Sequence, residues 1–193
     1  MKKLLTSAIC LLMIVTLLLF ATSCTFNDPL RHYFKKANKT TNYTLTLVLT
    51  HEDSNIKITQ IMHCDGNIIY YPENRNLGQK EYYAEIIDDY TIEYREVTKG
   101  KWEKDIKETE YAFDLEKNDI FNAEHYEKVK KEKNVYKQKK NIVFDSFEDL
   151  TVTIIDESVI IEGTMTMDYI SYNVKIIVSD FNEHDLTLPT VEK

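Results

Sequence analysis

Glycine and proline are almost missing from this chain: four Gly and three Pro in 193 residues. That excludes a Pro/Gly-rich linker or a wall-spanning stalk. It also leaves no P-loop and no dinucleotide-binding glycine fingerprint. Ser146, Ser158, Ser171 and Ser179 have no G-x-S-x-G setting, so no nucleophile elbow is present. The five histidines, His32, His51, His63, His125 and His184, form neither HxxxH nor HExxH. His63-Cys64-Asp65 offers ligand types side by side, but no second cluster stands at ligand spacing. No metal and no cofactor is therefore assigned. Glu52-Asp53-Ser54-Asn55 lacks the Gly and the distal Glu of a calcium loop and reads as a turn. Asp88-Asp89 and Asp156-Glu157 likewise read as turn residues rather than as a paired acid and base. No catalytic residue emerges, and the chain reads as a non-enzyme. Basic residues are also few, 24 against 32 acidic, for a net charge of −8. Such a chain does not attract a phosphate backbone, which sets nucleic acid aside as a partner.

What is abundant begins at the N-terminus. Lys2 and Lys3 precede an uncharged apolar run from Leu4 to Ala21. About 18 residues is the lower limit for spanning a bilayer and long for a secretory core of about 7–15. The downstream flank discriminates. Small residues Ala21-Thr22-Ser23 lead directly to Cys24, and Thr25, Phe26, Asn27 and Asp28 supply no basic stop-transfer cluster. This order resembles the lipobox of bacterial lipoproteins, with Ala21 standing where Leu is preferred and Leu19 two residues further back. The resemblance implies that residues 1–23 are a signal peptide removed between Ser23 and Cys24. Cys24 would then carry a diacylglyceryl thioether, and residues 24–28 would form a short tether on the extracytoplasmic face of the cell membrane. The alternative is an uncleaved membrane helix with an incidental cysteine. On the lipoprotein reading Cys10 leaves with the signal and only Cys64 remains, so no intrachain disulfide can form; Cys64 reads as a small buried hydrophobe.

Residues 29–193 read as one domain. Asp28 can cap a short helix with Pro29 in its first turn. Leu30, Tyr33, Phe34 and Ala37 share one face of it. "NYTLTLVLT" then alternates, followed by "IKITQIMHC", an Asp65-Gly66 hairpin signal, "NIIYY", "EYYAEIID", "YTIEYREV" and "KWEKDIK". This predicts a meander of about six strands. Between Asp114 and Lys131 alternation stops and helix formers gather. One or two short helices are expected there, packed through Leu115, Ile120, Phe121, Tyr126 and Val129. "VYKQKKN" is a candidate strand and "FDSFEDL" a loop or helical turn. "TVTIID", "SVIIEGTMTM" and "ISYNVKIIVSDF" are strongly β, and "HDLTLP" closes the chain. The expected fold is α+β: a large curved antiparallel sheet, a half-barrel, with the N-terminal helix and the mid-chain helical insert on one face.

The short first helix, "NYTLTLVLT", the meander, "HYEKVKKEKNVYKQK" and the closing "IIVSDFNEHDLTLP" together resemble the LolA-like and LppX/LprG-like lipoproteins. Ser179-Asp180-Phe181 and Leu186-Thr187-Leu188-Pro189 match that family's closing pattern, with Asn182 where Gly is common. The resemblance implies an unclosed β-barrel enclosing an apolar cavity for a lipid or other amphiphile, with no catalytic residues. The alternative is an envelope protein-protein interaction or organising module with no ligand cavity.

Two groups of residues are candidates for binding. Tyr43, Tyr70, Tyr82, Tyr94 and Trp102, within a Tyr-rich first half, present apolar bodies with polar tips suited to a pocket or a surface. The same residues also serve simply to cover a sheet. Arg31, Lys35, Lys36 and Lys39 form a basic patch on the first helix and its exit. Three residues separate Cys24 from Asp28, a reach of about 10–15 Å, so this helix is expected to lie nearest the bilayer. Each basic side chain there can contribute about 1 kcal/mol against anionic headgroups. Solvation of an exposed helix face is the plainer account of the same charges.

Overall fold

The computed structural model describes residues 28–54, 56–87, 90–108 and 119–191. Ser23, Cys24 and the segment before them lie outside the described residues, as do Asp88-Asp89, Tyr111 and Leu115. The fold is mostly β: one short helix, a few 3-10 turns and a single open sheet of eleven antiparallel strands.

Helix α1 (Pro29–Lys39) begins where the local chemistry asks it to. Asp28 Oδ1 accepts the Leu30 N–H at 3.1 Å, and Pro29 occupies the first turn. Lys36 and Lys39 stand in the last turn, where positive charge suits the carbonyl end of the helix. Leu30, Phe34 and Ala37 are buried.

The chain then runs a meander. Its strands are β1 (Asn42–His51), β2 (Lys57–Asp65), β3 (Ile68–Tyr71), β4 (Tyr82–Ile87), β5 (Tyr90–Thr98) and β6 (Lys101–Glu108). A second set follows: β7 (Tyr126–Lys128), β8 (Val135–Gln138), β9 (Phe147–Ile155), β10 (Ser158–Met167) and β11 (Ile170–Ser179). The spatial order is β6-β5-β4-β3-β2-β1-β11-β10-β9-β8-β7. The last strand therefore lies against the first, with Leu45 opposite Val178, Leu47 opposite Ile176 and Leu49 opposite Val174. These residues, with Val152, Ile154, Val159 and Ile161 from β9 and β10, make the face on which α1 sits.

Three expectations are corrected here. The sheet is open, as expected, but it is not strongly curled, so the fold is mostly β rather than α+β and flatter than a half-barrel. One reason is coverage. A helix of eleven residues is about 16 Å long and can cover roughly three or four strands spaced about 4.8 Å apart. The opposite face, meanwhile, carries the C-terminal tail through His184 rather than lying bare. The second correction concerns the mid-chain insert. Within the described residues it consists of two single 3-10 turns, Asp119–Phe121 and Ala123–His125, and then edge strand β7. Ile120, Phe121 and Tyr126 are nevertheless buried as expected, and Val129 is half-buried. Third, "FDSFEDL" contributes the start of β9. Asp149 there has φ 53°, and the β9–β10 register shifts between Glu162 and Thr164. This is a bulge, two residues opposite one. It switches the alternation, so that Phe147 and Leu150 both pack toward the core.

The scarcity of glycine shows in the turns. Left-handed φ values fall on Asn134, Asp156, Glu157, Asp168, Tyr169, Asp180 and Asn182. Asp and Asn tolerate that conformation because their short polar side chains bond locally. Asn182, at φ 64°, thus does what glycine would do in its place.

Candidate binding surfaces

The sheet has two unequal halves. Beneath α1, the space between helix and sheet is filled with side chains. Phe34 meets Phe121 edge-on at 5.6 Å and Tyr126 at 5.8 Å. Leu30, Ala37, Ile161 and Val178 are essentially inaccessible. Tyr136 closes the far end by donating its hydroxyl to Asp28 Oδ1 at 2.7 Å, and burial pushes its phenol up to about 12. Tyr43 belongs to this packed interior and not to a surface.

Across β2–β6 the same face continues as half-buried Ile58, Met62, Ile69, Tyr71, Tyr82 and Ile86. Tyr71 and Tyr82 stack face to face, 4.3 Å between centroids and 4° between planes. The Arg95 guanidinium lies over Tyr82 at 4.5 Å. Burial raises both phenols above their usual range. Beyond them the face ends in charge. Glu93 takes hydrogen bonds from Lys107 at 2.7 Å and Arg95 at 2.8 Å. Burial works against its charge, yet these two partners hold its carboxyl below the usual range. Cys64 is buried on this side, and burial pushes its thiol up to about 11, away from reactivity.

The opposite face of β2–β6 carries a second aromatic row. His63 stacks on Tyr70 at 5.9 Å, Tyr70 leans on Tyr83 at 4.8 Å, and Tyr83 meets Trp102 edge-on at 5.6 Å. Tyr94, cross-strand from Tyr83, is buried and donates its hydroxyl to Glu85 at 2.9 Å. The five singled-out aromatics are therefore not one cluster. Tyr82 lies on the helix side, Tyr70, Tyr94 and Trp102 lie on the other side, and Tyr43 is in the core. Strand pairing decides this: it sets Tyr70 against Tyr83 and Tyr71 against Tyr82, sending each pair to its own face.

A polar knot ties the C-terminal tail to this second face. Buried Thr44 shares its hydroxyl with His63 Nδ1 at 3.1 Å and His184 Nε2 at 2.8 Å. Asn42 bonds Asp65 at 2.9 Å and the His184 backbone at 2.7 and 3.0 Å. The Leu186 N–H reaches Asp65 at 3.0 Å. Burial and the neighbouring His184 lower the His63 pKa, partly opposed by Asp180. Sequence reasoning missed this knot. Alternation alone sets His63 and Cys64 on opposite faces, but only the tail brings His184 to Thr44. Among the described residues, no group of His, Cys, Asp and Glu is arranged to hold a metal.

The basic patch is only partly free. Arg31 pairs with Glu124 at 3.2 Å. Lys36 pairs with Glu157 at 3.2 Å and covers the Phe181 ring at 4.8 Å. Lys35 and Lys39 are exposed. A separate open cleft of about 430 Å³ lies between the loop after β8 and the start of β9, with Lys139, Ile142, Val143, Phe147 and Asp149 among its walls. No described helix is long and apolar enough to cross a membrane. No family model matches this chain, and no curated protein matches it as a relative.

Proposed function

We propose that this is a non-catalytic, membrane-tethered lipoprotein of the extracytoplasmic face that takes a lipid or other amphiphile on the helix-side face of β2–β4. We propose equally that its sheet is a shallow form of the unclosed barrel of the LolA-like and LppX/LprG-like lipoproteins. One observation carries the binding reading. The apolar face does not stop where α1 stops, but continues through Ile58, Met62, Ile69, Tyr71 and Tyr82 to the charged rim of Glu93, Arg95 and Lys107. An apolar bed beside a charged rim fits a molecule with a tail and a polar head. Cys24 supplies the anchor: two acyl chains, each buried CH₂ contributing about 0.8 kcal/mol, hold a domain at a bilayer without a spanning helix. Lys35 and Lys39, unlike Arg31 and Lys36, are left to face headgroups.

The test has two arms. Protein isolated from its membrane and extracted with organic solvent should release a lipid that is not its own anchor, and Tyr82→Ala should reduce that yield. No released lipid removes the amphiphile. Separately, Cys24→Ser should abolish palmitate labelling and leave unprocessed precursor; persistent labelling removes the anchor. The interaction-module reading is favoured by the space beneath α1, which is filled with side chains where the barrel resemblance implies an acyl cavity. It gains if extraction yields nothing while a saturable envelope partner is captured.

A further inference from the structure

Strand β6 is the outer strand at one end of the sheet. One of its backbone edges is paired with β5, and the other has no strand beside it among the described residues. Edge strands are commonly guarded by charge, and β6 is heavily charged: "KWEKDIKE". Its charges, however, are arranged about one residue. Ile106 is 66% exposed, an isoleucine with charged residues on both sides of it along the edge. Asp105 stands before it and Lys107 after it.

We propose that β6 pairs with β6 of a second copy of this chain, antiparallel, about a two-fold axis that passes between the two Ile106 residues. A two-fold axis normal to the sheet keeps each face on its own side. Residues paired across the seam must then share a face, which fixes the allowed registers. Centred on Ile106, the register sets Asp105 against Lys107 of the second copy, Lys107 against its Asp105, and Ile106 against itself. Centred on Lys101, Glu103, Lys104, Asp105 or Lys107, each alternative places a charge against its own copy, which is unfavourable directly across strands. A register centred on Trp102 avoids this, but the Lys99-Gly100 turn limits its overlap within the strand to residues 101–103. The Ile106 register overlaps residues 104–108. The charges of β6 thus guard against most self-pairings, and of the two registers they permit, the one centred on Ile106 overlaps further.

The intramolecular neighbours agree. Asp105 lies directly opposite Glu93 on β5, a like-charge pair. Glu93 is already satisfied by Arg95 and Lys107, and Asp105 makes no ion pair among the described residues. The Lys107 of a second copy supplies the cation that Asp105 lacks, and continues the Glu93–Lys107 bridge across the seam.

Asp105→Lys separates this proposal from any effect on folding. The substitution places a cation opposite Glu93, which suits the monomer, but sets that cation against Lys107 across the seam. The experiment uses the full chain in detergent with Cys10→Ser and Cys24→Ser, leaving only buried Cys64. In that background Ile106→Cys should form a disulfide dimer under mild oxidation, since directly opposed residues across antiparallel strands stand about 4.5–5.5 Å apart, within disulfide reach. Lys104→Cys and Trp102→Cys should cross-link at least tenfold more slowly. Adding Asp105→Lys should slow the Ile106→Cys cross-link at least tenfold while leaving the unfolding midpoint unchanged or higher. Equal cross-linking at 102, 104 and 106, a maximum at another position, or a cross-link indifferent to Asp105→Lys overturns the proposal. Equal rates at all three positions would point to association through the apolar N-terminal segment instead.

Discussion

The two halves of the sheet solve the same problem in opposite ways. From β1 through β11 to β9, alternating Leu, Ile and Val meet a helix, and the residues between are sealed. From β2 to β6, aromatic rings stack on both faces and ion pairs replace the helix. Burying an aliphatic side chain gives about 1.5–3 kcal/mol. An exposed ion pair gives about 0–1 kcal/mol, and an aromatic pair adds about 0.5–1.5 kcal/mol. The comparison teaches that stability is concentrated in the helix-covered half.

The sharpest way to break the comparison is Phe34→Ala. It empties the centre of the sealed half and should cost about 3–5 kcal/mol, read as a lowered denaturant midpoint. Tyr83→Ala, its half-buried counterpart on the other half, should cost less, about 1–3 kcal/mol. Equal losses would dissolve the distinction. A smaller test falls at the bulge. A Cβ on Gly163 would lie 2.7 Å from both the Glu148 carbonyl oxygen and Leu150 Cδ2. Backbone cannot yield there as a flexible side chain would, so Gly163→Ala should cost about 1–3 kcal/mol.

How much of this could be read beforehand depended on local signals. Strands β1 to β6 were legible because alternation and the Asp65-Gly66 and Lys99-Gly100 turns agree with the pairing that forms. The Asp28-Pro29 helix start was legible for the same reason. The stretch after Asp119 was not, since its helix formers are outweighed by the burial of Ile120 and Phe121 against α1 in single turns. The Phe147–Leu150 segment hid because a bulge breaks the period that announces a strand. For the candidate surfaces, composition supplied the aromatics, but pairing register distributed them between two faces. The lipobox reading lies wholly outside the described residues.

The turns and the knot offer two finer tests. Tyr169 holds φ 66° at the β10–β11 hairpin with its side chain fully in solvent. Tyr169→Gly should remove left-handed strain without disturbing any packing and stabilise by about 1 kcal/mol, seen as a raised midpoint. The smallest effect belongs to His63. Its folded pKa lies below the ordinary 6.5, so the unfolded chain binds the proton more readily. Its contribution is complete above pH 6.5 and declines as pH falls toward the lowered folded value. Stability measured from about pH 7.5 to about pH 5 should show this slope, and His63→Gln should flatten part of it. A slope unchanged by that substitution would place the acid sensitivity elsewhere.

The pairing of β1 with β11 has a consequence in time. During synthesis the first strand emerges early, but its partner on one side is the last strand of the sheet. The meander can gather behind it, yet the central seam cannot form until Ser179 has left the ribosome. Non-local pairing of this kind folds slowly, on the order of milliseconds to seconds. The join between the two halves of the sheet is therefore the last part of the fold to close, however early the meander gathers.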